Sequence, residues 1–210
     1  MAAVTFALAV TVAGSAIEAN AADPEFSKVA MLENPGGLTF GRDSVAVSGD
    51  TAVIGAWGAN QNTGAAYVFV RGTTGWTLQD TLSASDGQPN ARFGNSVSIS
   101  GETIAVADNA IGAGKVYVFS RSGGTWTESQ ILITSRSGYE MRVAMDGDTI
   151  VVGSRGAPSV NATGAAQVYV RSGATWALQQ TLLPSDGAAN DAFGADVAIF
   201  DISNACLGVL

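Results

Sequence analysis

The stretch GTTGWTLQDTLSASDG at 72–87 returns as SGATWALQQTLLPSDG at 172–187, and a fainter copy, SGGTWTESQILITSRS, lies between them at 122–137. Trp76, Trp126 and Trp176 are spaced 50 residues apart. Other columns hold on that alignment. Arg71, Arg121 and Arg171 stand five residues before Trp, Phe69, Phe119 and Tyr169 seven before, and Gly64, Gly114 and Gly164 twelve before. A fixed period of this length marks one supersecondary unit written several times, which cannot bury its apolar faces alone and does so by stacking on its neighbours.

Within a unit the runs are short and β-rich. SVAVS (44–48), TAVIGA (51–56), AAYVFVR (65–71) and WTLQDTL (76–82) are separated by Gly-Asp, a glycine-rich connection and Gly-Thr-Thr-Gly, which predicts four strands per unit. In VSGDTAV, ISGETIA and MDGDTIV, Gly49, Gly101 and Gly147 precede an acid between two β runs. This is the signature of a two-residue hairpin with glycine at positive φ. Local turn chemistry accounts for these acids without a ligand role. Four antiparallel strands repeated every 46 to 54 residues, counted between Phe40, Phe93, Tyr139 and Phe193, predict an all-β fold of β-propeller blades. A solenoid needs shorter, more uniform coils, and a sandwich does not repeat so literally.

Composition excludes several functions. With 47% apolar and 13% charged residues the 210-residue chain has material for a packed core. Its net charge of −8 and pI near 4.3 disfavour nucleic acid and anionic membrane as partners. There is no histidine and a single cysteine, Cys206, so neither a Ser/His/Asp nor a Cys/His arrangement can be assembled and no intrachain disulfide can form. A carboxylate pair remains open as hydrolytic chemistry, but nearly every acid falls in a turn.

FGRDSVAVSGDTAVIGAWGANQNTGAAYVFVR (40–71) resembles an FG-GAP repeat, the blade unit of the integrin α-subunit propeller and of many bacterial secreted proteins. Phe-Gly recurs at Phe93-Gly94 and Phe193-Gly194, Gly-Ala stands at Gly55-Ala56, and Gly156-Ala157-Pro158 spells the motif. The resemblance covers about residues 40 to 200 and departs at the third unit, where Tyr139-Glu140 replaces Phe-Gly, singling out that blade's packing against its neighbour. It implies an extracellular, non-catalytic binding or adhesion module. Integrin-type repeats often carry an Asp-x-Asp-x-Asp-Gly calcium loop, which this chain lacks; SDGQPNA (85–91), SDGAANDA (185–192) and ADNA (107–110) offer one or two acids each. Six to eight oxygens are needed, so no cofactor is expected, and Asp86 and Asp186 read as turn residues between blades.

The propeller leaves its connections for recognition. Those joining strands 2 and 3, WGANQNTG (57–64), DNAIGAG (108–114) and SRGAPSVNATG (154–164), differ while the strands around them agree. Candidate ligand-binding residues are Trp57, Asn60, Asn62, Asp108, Asn109, Arg155 and Asn161, the last within an Asn-Ala-Thr glycosylation sequon. Trp57 is absent from the matching connections and suits either stacking on a sugar or protein partner or ordinary blade packing. The expected partner is an extracellular protein or glycan, with no nucleic acid and no membrane insertion of the mature chain. Two alternatives stand beside this: a structural array within a larger extracellular protein, and a propeller-based polysaccharide-active enzyme, which demands clustered carboxylates at one mouth.

The ends complete the expectation. Residues 2–17 form an uncharged apolar run ending near Ala19-Asn20-Ala21, a small-x-small cleavage pattern without a preceding Lys or Arg. Residues 1–21 therefore read as signal-peptide-like, giving a secreted, surface or periplasmic protein; the rival reading is a buried helix of the mature fold. Residues 22–39 supply an outer strand and linker, 40–92, 93–138 and 139–192 the full blades, 193–200 a partial one, and 201–210 a non-repeat end. Propellers have at least four blades, so three full units read as a fragment of a larger propeller. Bare blade faces would then favour self-association.

Overall fold

The computed structural model describes residues 32, 34–35, 39–42, 44–109, 113–137, 140–155, 163–188, 191–200 and 208–209. The signal-like segment and Asn161 lie outside them. Three antiparallel four-stranded sheets follow in chain order. The first blade comprises β1 (Val45–Ser48), β2 (Thr51–Ala56), β3 (Ala65–Gly72) and β4 (Gly75–Leu82). The second comprises β5 (Ser96–Ser100), β6 (Thr103–Ala107), β7 (Ala113–Ser122) and β8 (Thr125–Ser137). The third comprises β9 (Met141–Asp146), β10 (Thr149–Ser154), β11 (Ala165–Ser172) and β12 (Thr175–Leu182). A short β13 (Val197–Ala198), the start of the next unit, pairs antiparallel with β14 (Gly208–Val209). The chain is thus an all-β partial propeller, as the repeat requires.

The 1–2 turns are built as expected. Gly49, Gly101 and Gly147 take φ of 56°, 54° and 52° while the acids after them stay at negative φ, a type II′ pattern. The pairing of strands 3 and 4 carries a feature the sequence pattern does not announce, a bulge after Val68, Val118 and Val168 in the three blades. Bulges of this kind increase local twist.

Alternation along the strands gives every blade two unlike faces. One presents large side chains, such as Ile104, Val106, Tyr117, Phe119 and Trp126 in the second blade; the other presents smaller ones, such as Val53, Ala66, Val68 and Leu82 in the first, and these meet in one buried cluster. The next seam repeats it, with Ala105, Ala107, Val116, Val118 and Leu132 against Met141, Val143, Met145, Ile150, Val152, Tyr169 and Trp176. On the first blade the large-residue face is not bare: Ile54, Tyr67 and Phe69 are buried, with Leu32 and Phe40 packed on their cluster.

The Phe-Gly motif locks the seam. Phe93 is fully buried, edge-on to Tyr117 and Phe119 at 5.2 and 6.1 Å, and its backbone N–H donates to the Thr63 carbonyl at 3.0 Å. Backbone then meets backbone: a Cβ on Gly55 would lie 2.0 Å from the Gly94 carbonyl oxygen, and one on Gly64 1.9 Å from that of Phe93. Gly153 and Gly164 meet Gly194 and Phe193 in the same way, at 2.3 and 2.0 Å. No side chain larger than hydrogen fits there.

The seam with Tyr139-Glu140 is built differently. Ala107 replaces the glycine found at 55 and 153, and Glu140 takes the position of Gly94 at φ 47°. Its backbone N–H donates to Asn109 Oδ1 at 2.6 Å and its carboxylate pairs with Arg155. A polar clamp stands where glycine contact closes the other seams.

Serine hydroxyls complete the inner strands. Ser44 and Ser48 accept from the backbone N–H groups of Val97 and Gly101 at 2.5 and 3.1 Å, and Ser96, Ser98 and Ser100 accept from those of Val143, Met145 and Gly147, each at 3.0 Å. N–H groups on the outward edges of β5 and β9 are thereby paired across the two seams, which covers those sheet edges.

Candidate functional site

Strand direction sorts the connections into two ends. The 1–2 and 3–4 hairpins share one end of the blades, and the 2–3 and 4–1 connections share the other.

The hairpin end is repetitive. Arg71, Arg121 and Arg171 pair with the turn acids Asp50, Glu102 and Asp148, and their guanidinium groups lie 5.9, 5.1 and 5.5 Å from the ring centres of Trp76, Trp126 and Trp176. Arg121 and Arg171 also reach Thr51 and Thr103 of the preceding blade, at 3.4 and 3.5 Å. The Arg121 guanidinium holds the Glu102 carboxyl below its ordinary range. Three columns visible in the sequence are one device: acid, arginine and tryptophan clasp the two hairpins of a blade and tie it to its neighbour.

The other end varies from seam to seam. Asp86, in the β4–β5 connection, accepts from Lys115 Nζ at 2.5 Å and from the Tyr117 hydroxyl at 2.8 Å. The lysine, then the tyrosine, holds its carboxyl below the usual range, while burial, followed by that bond to Asp86, pushes the Tyr117 hydroxyl up. Asp86 is thus a turn residue that pins one blade's exit to the next blade's third strand.

Trp57, Asn109 and Arg155 occupy one repeat position, the residue after strand 2, or one beyond its buried last residue in the second blade, where β6 ends at Ala107. Each makes a different contact. Trp57 is half-buried with the exposed Arg92 guanidinium 5.2 Å from its ring centre, Asn109 caps the Glu140 N–H, and Arg155 pairs with the Glu140 carboxylate. Asp108 lies apart from them: it is 1% exposed, its Oδ1 accepts from the Lys115 backbone N–H at 3.0 Å, and it serves the β6–β7 turn rather than an accessible surface.

After Trp57 the chain makes an unusual turn. Asn60, Gln61 and Asn62 all take positive φ, at 50°, 59° and 62°. For a non-glycine residue this conformation costs roughly 1–2 kcal/mol, with asparagine the most tolerant. The turn is closed by Gly64 and Thr63 N–H groups donating to the Ala59 and Asn60 carbonyls at 3.0 and 3.1 Å. It presents Asn60 and Gln61 to solvent, and the Asn62 amide donates to Asn90 Oδ1 at 3.3 Å. The Arg92 N–H donates to the Asn62 carbonyl at 2.9 Å. Trp57, Asn60 and Asn62 therefore gather at the first seam, whereas Asn109 and Arg155 gather at the second. Sequence reasoning missed Arg92, Asn90 and Glu140. The signal for Arg92 is its place before Phe-Gly, where Thr39, Arg92 and Ala192 all take positive φ of 65°, 58° and 59°.

An FG-GAP repeat model matches residues 37–69, 76–119 and 176–202. The chain belongs to the FG-GAP repeat family. No curated protein matches it. The unmatched 120–175 stretch contains most of the third FG-GAP blade, yet β9, β10 and β11 within it pair as their counterparts in the neighbouring blades do. FG-GAP repeats are typical of extracellular, non-catalytic proteins. Among the described residues no helix is long and apolar enough to cross a membrane, and no three His, Cys, Asp or Glu side chains converge as metal ligands.

Proposed function

We propose that this FG-GAP chain is a secreted or surface-exposed recognition module that holds an extracellular protein or glycan at the end formed by the 2–3 and 4–1 connections, and that it performs no catalysis. One observation carries the reading. At a single repeat position the scaffold presents tryptophan, asparagine and arginine in three unlike local settings, while the opposite end repeats the same clasp in every blade. A rigid, repeated frame with individual connections at one end is the usual construction of a recognition surface. The first seam offers the best-equipped patch, a half-buried indole rimmed by exposed amides. Rings of this kind contribute large contact area at low entropic cost.

The test compares the full chain with Trp57→Ala and with Thr74→Ala, an exposed position in a hairpin at the opposite end, on an array of glycans and extracellular proteins. Binding lost in the first variant and kept in the second supports the reading. Loss in Thr74→Ala alone contradicts it.

A further inference from the structure

We propose that the patch around Trp57 takes a uronic-acid residue of a glycan, with its carboxylate on Arg92 and its hydroxyls on the amides of Asn60 and Asn90. The proposal rests on the recognition reading above and names its ligand class.

The cation comes first. Arg71, Arg121, Arg155, Arg171 and Lys115 each pair with a carboxylate. Arg92, exposed where those five are half-buried, shows no carboxylate partner among the described residues; its guanidinium is laid against the Trp57 ring. Stacking on an indole uses the π face of a guanidinium and leaves its N–H edge to donate, and that rigid fork matches the two oxygens of a carboxylate. The backbone beneath the stacked side chain is held as well, since Arg92 sits at φ 58° with its own N–H donating to the Asn62 carbonyl. Such a residue is ordered before a ligand arrives, so little side-chain entropy is lost on binding.

The rim supplies the rest. A primary amide both donates and accepts, as a sugar hydroxyl does. Asn60 and Asn90 are both exposed, the second two residues before this arginine and the first in the turn whose Asn62 carbonyl holds the arginine's N–H, and that left-handed turn would relax if its residues were glycine. An acidic peptide would satisfy Arg92 but leaves the amides without a matching set of hydroxyls. A neutral sugar would satisfy the amides but leaves the arginine fork unused. A uronate satisfies both.

The chain's net charge of −8 opposes a polyanion at long range. That repulsion is screened beyond about 8 Å at physiological ionic strength. Asp86, in the same β4–β5 connection as Arg92, is already paired with Lys115.

The experiment titrates the full chain with trigalacturonate, with a neutral trisaccharide and with a trimer of glutamate, following indole fluorescence and heat at 0.15 M salt. Trigalacturonate should bind best. Arg92→Gln should weaken it at least tenfold, Arg92→Lys several-fold, and Asn60→Ala two- to fivefold, each variant still melting cooperatively. The glycan class fails if triglutamate binds more tightly than trigalacturonate. The carboxylate anchor fails if the neutral sugar binds equally well or Arg92→Gln changes nothing, and binding still lost in Trp57→Ala would then leave the recognition reading standing. No response to any of the three probes, with the melt intact, overturns the proposal outright.

Discussion

Replacing Gly55 by alanine isolates the contact that holds FG-GAP blades together. Gly55 lacks a positive φ, so alanine there strains no backbone dihedral and adds only a methyl group. That methyl carbon would stand 2.0 Å from the Gly94 carbonyl oxygen and 3.0 Å from its carbon. Non-bonded carbon atoms settle at about 3.5–4.0 Å, and contact with oxygen is only slightly closer, so the first two blades must part by about 1 Å along this line. A gap of that size forfeits a quarter to a half of the dispersion well of every pair it separates, and the seam holds Phe93, Val97, Tyr117 and Val68. The expected cost is about 3 kcal/mol, the upper part of the range for overpacked sites. For a chain of this length that is a fall in Tm of about 6–12 °C. Gly101→Ala is the control: it has φ +54° with nothing within 4 Å of the added atom, so dihedral strain alone acts, at roughly 1–2 kcal/mol. Urea unfolding followed by circular dichroism measures both. A Gly55→Ala loss no larger than that of Gly101→Ala would refute the seam as described.

Ser96→Ala should cost about 1–3 kcal/mol in the same unfolding assay, because it leaves the Val143 N–H unpaired in a buried seam; a loss below about 0.5 kcal/mol would argue against the serine pairing. Asp86→Asn should destabilise the protein near neutral pH by up to about 1 kcal/mol, since the pair with Lys115 is partly exposed. Its folded carboxyl titrates below its ordinary value, so this contribution is full above about pH 4 and fades as pH falls through the lowered value; the gap between wild type and variant should therefore close in acid, and a widening gap would contradict the assignment. Gln61→Gly should raise stability by about 1 kcal/mol by relieving its left-handed conformation at φ 59°, whereas a loss of that size would mean that Gln61 has another role. Acrylamide should quench Trp57 and Trp76, both half-buried, more readily than Trp126 and Trp176, which are 6% and 4% exposed; an equal quenched fraction in Trp57→Phe would place Trp57 in the core.

What could be read in advance divides along the range of the interactions. The strands, the 1–2 hairpins with Gly49, Gly101 and Gly147, and the four-strand unit depend on neighbours in sequence, and short-range pattern reports them. The arginine and tryptophan columns were visible too, but not that each arginine joins the turn acid 19 to 23 residues before it, because that pairing requires strands 1 to 4 to be laid side by side. The exchange of Gly-Gly for Ala107, Asn109, Glu140 and Arg155 is a property of two blades together. Either unit alone shows only a lapse from the motif. Trp57 was recognised as exceptional from its absence elsewhere, while its partner Arg92 comes from the next unit and carries no signal except its place before Phe93. Asp108 stands among the candidate ligand residues by its place in a variable connection, whereas in the folded chain it is buried and accepts from the Lys115 N–H across that turn.

The most direct measurement is the binding of one ligand, selected on the glycan and protein array, to two double variants: Trp57→Ala with Arg92→Gln at the connection end, and Arg71→Gln with Thr74→Ala at the hairpin end. With both variants shown to melt cooperatively, the account predicts that the first loses binding by at least tenfold and the second binds as wild type does. Retention by the first with loss by the second would place recognition at the repeated hairpin end and contradict it.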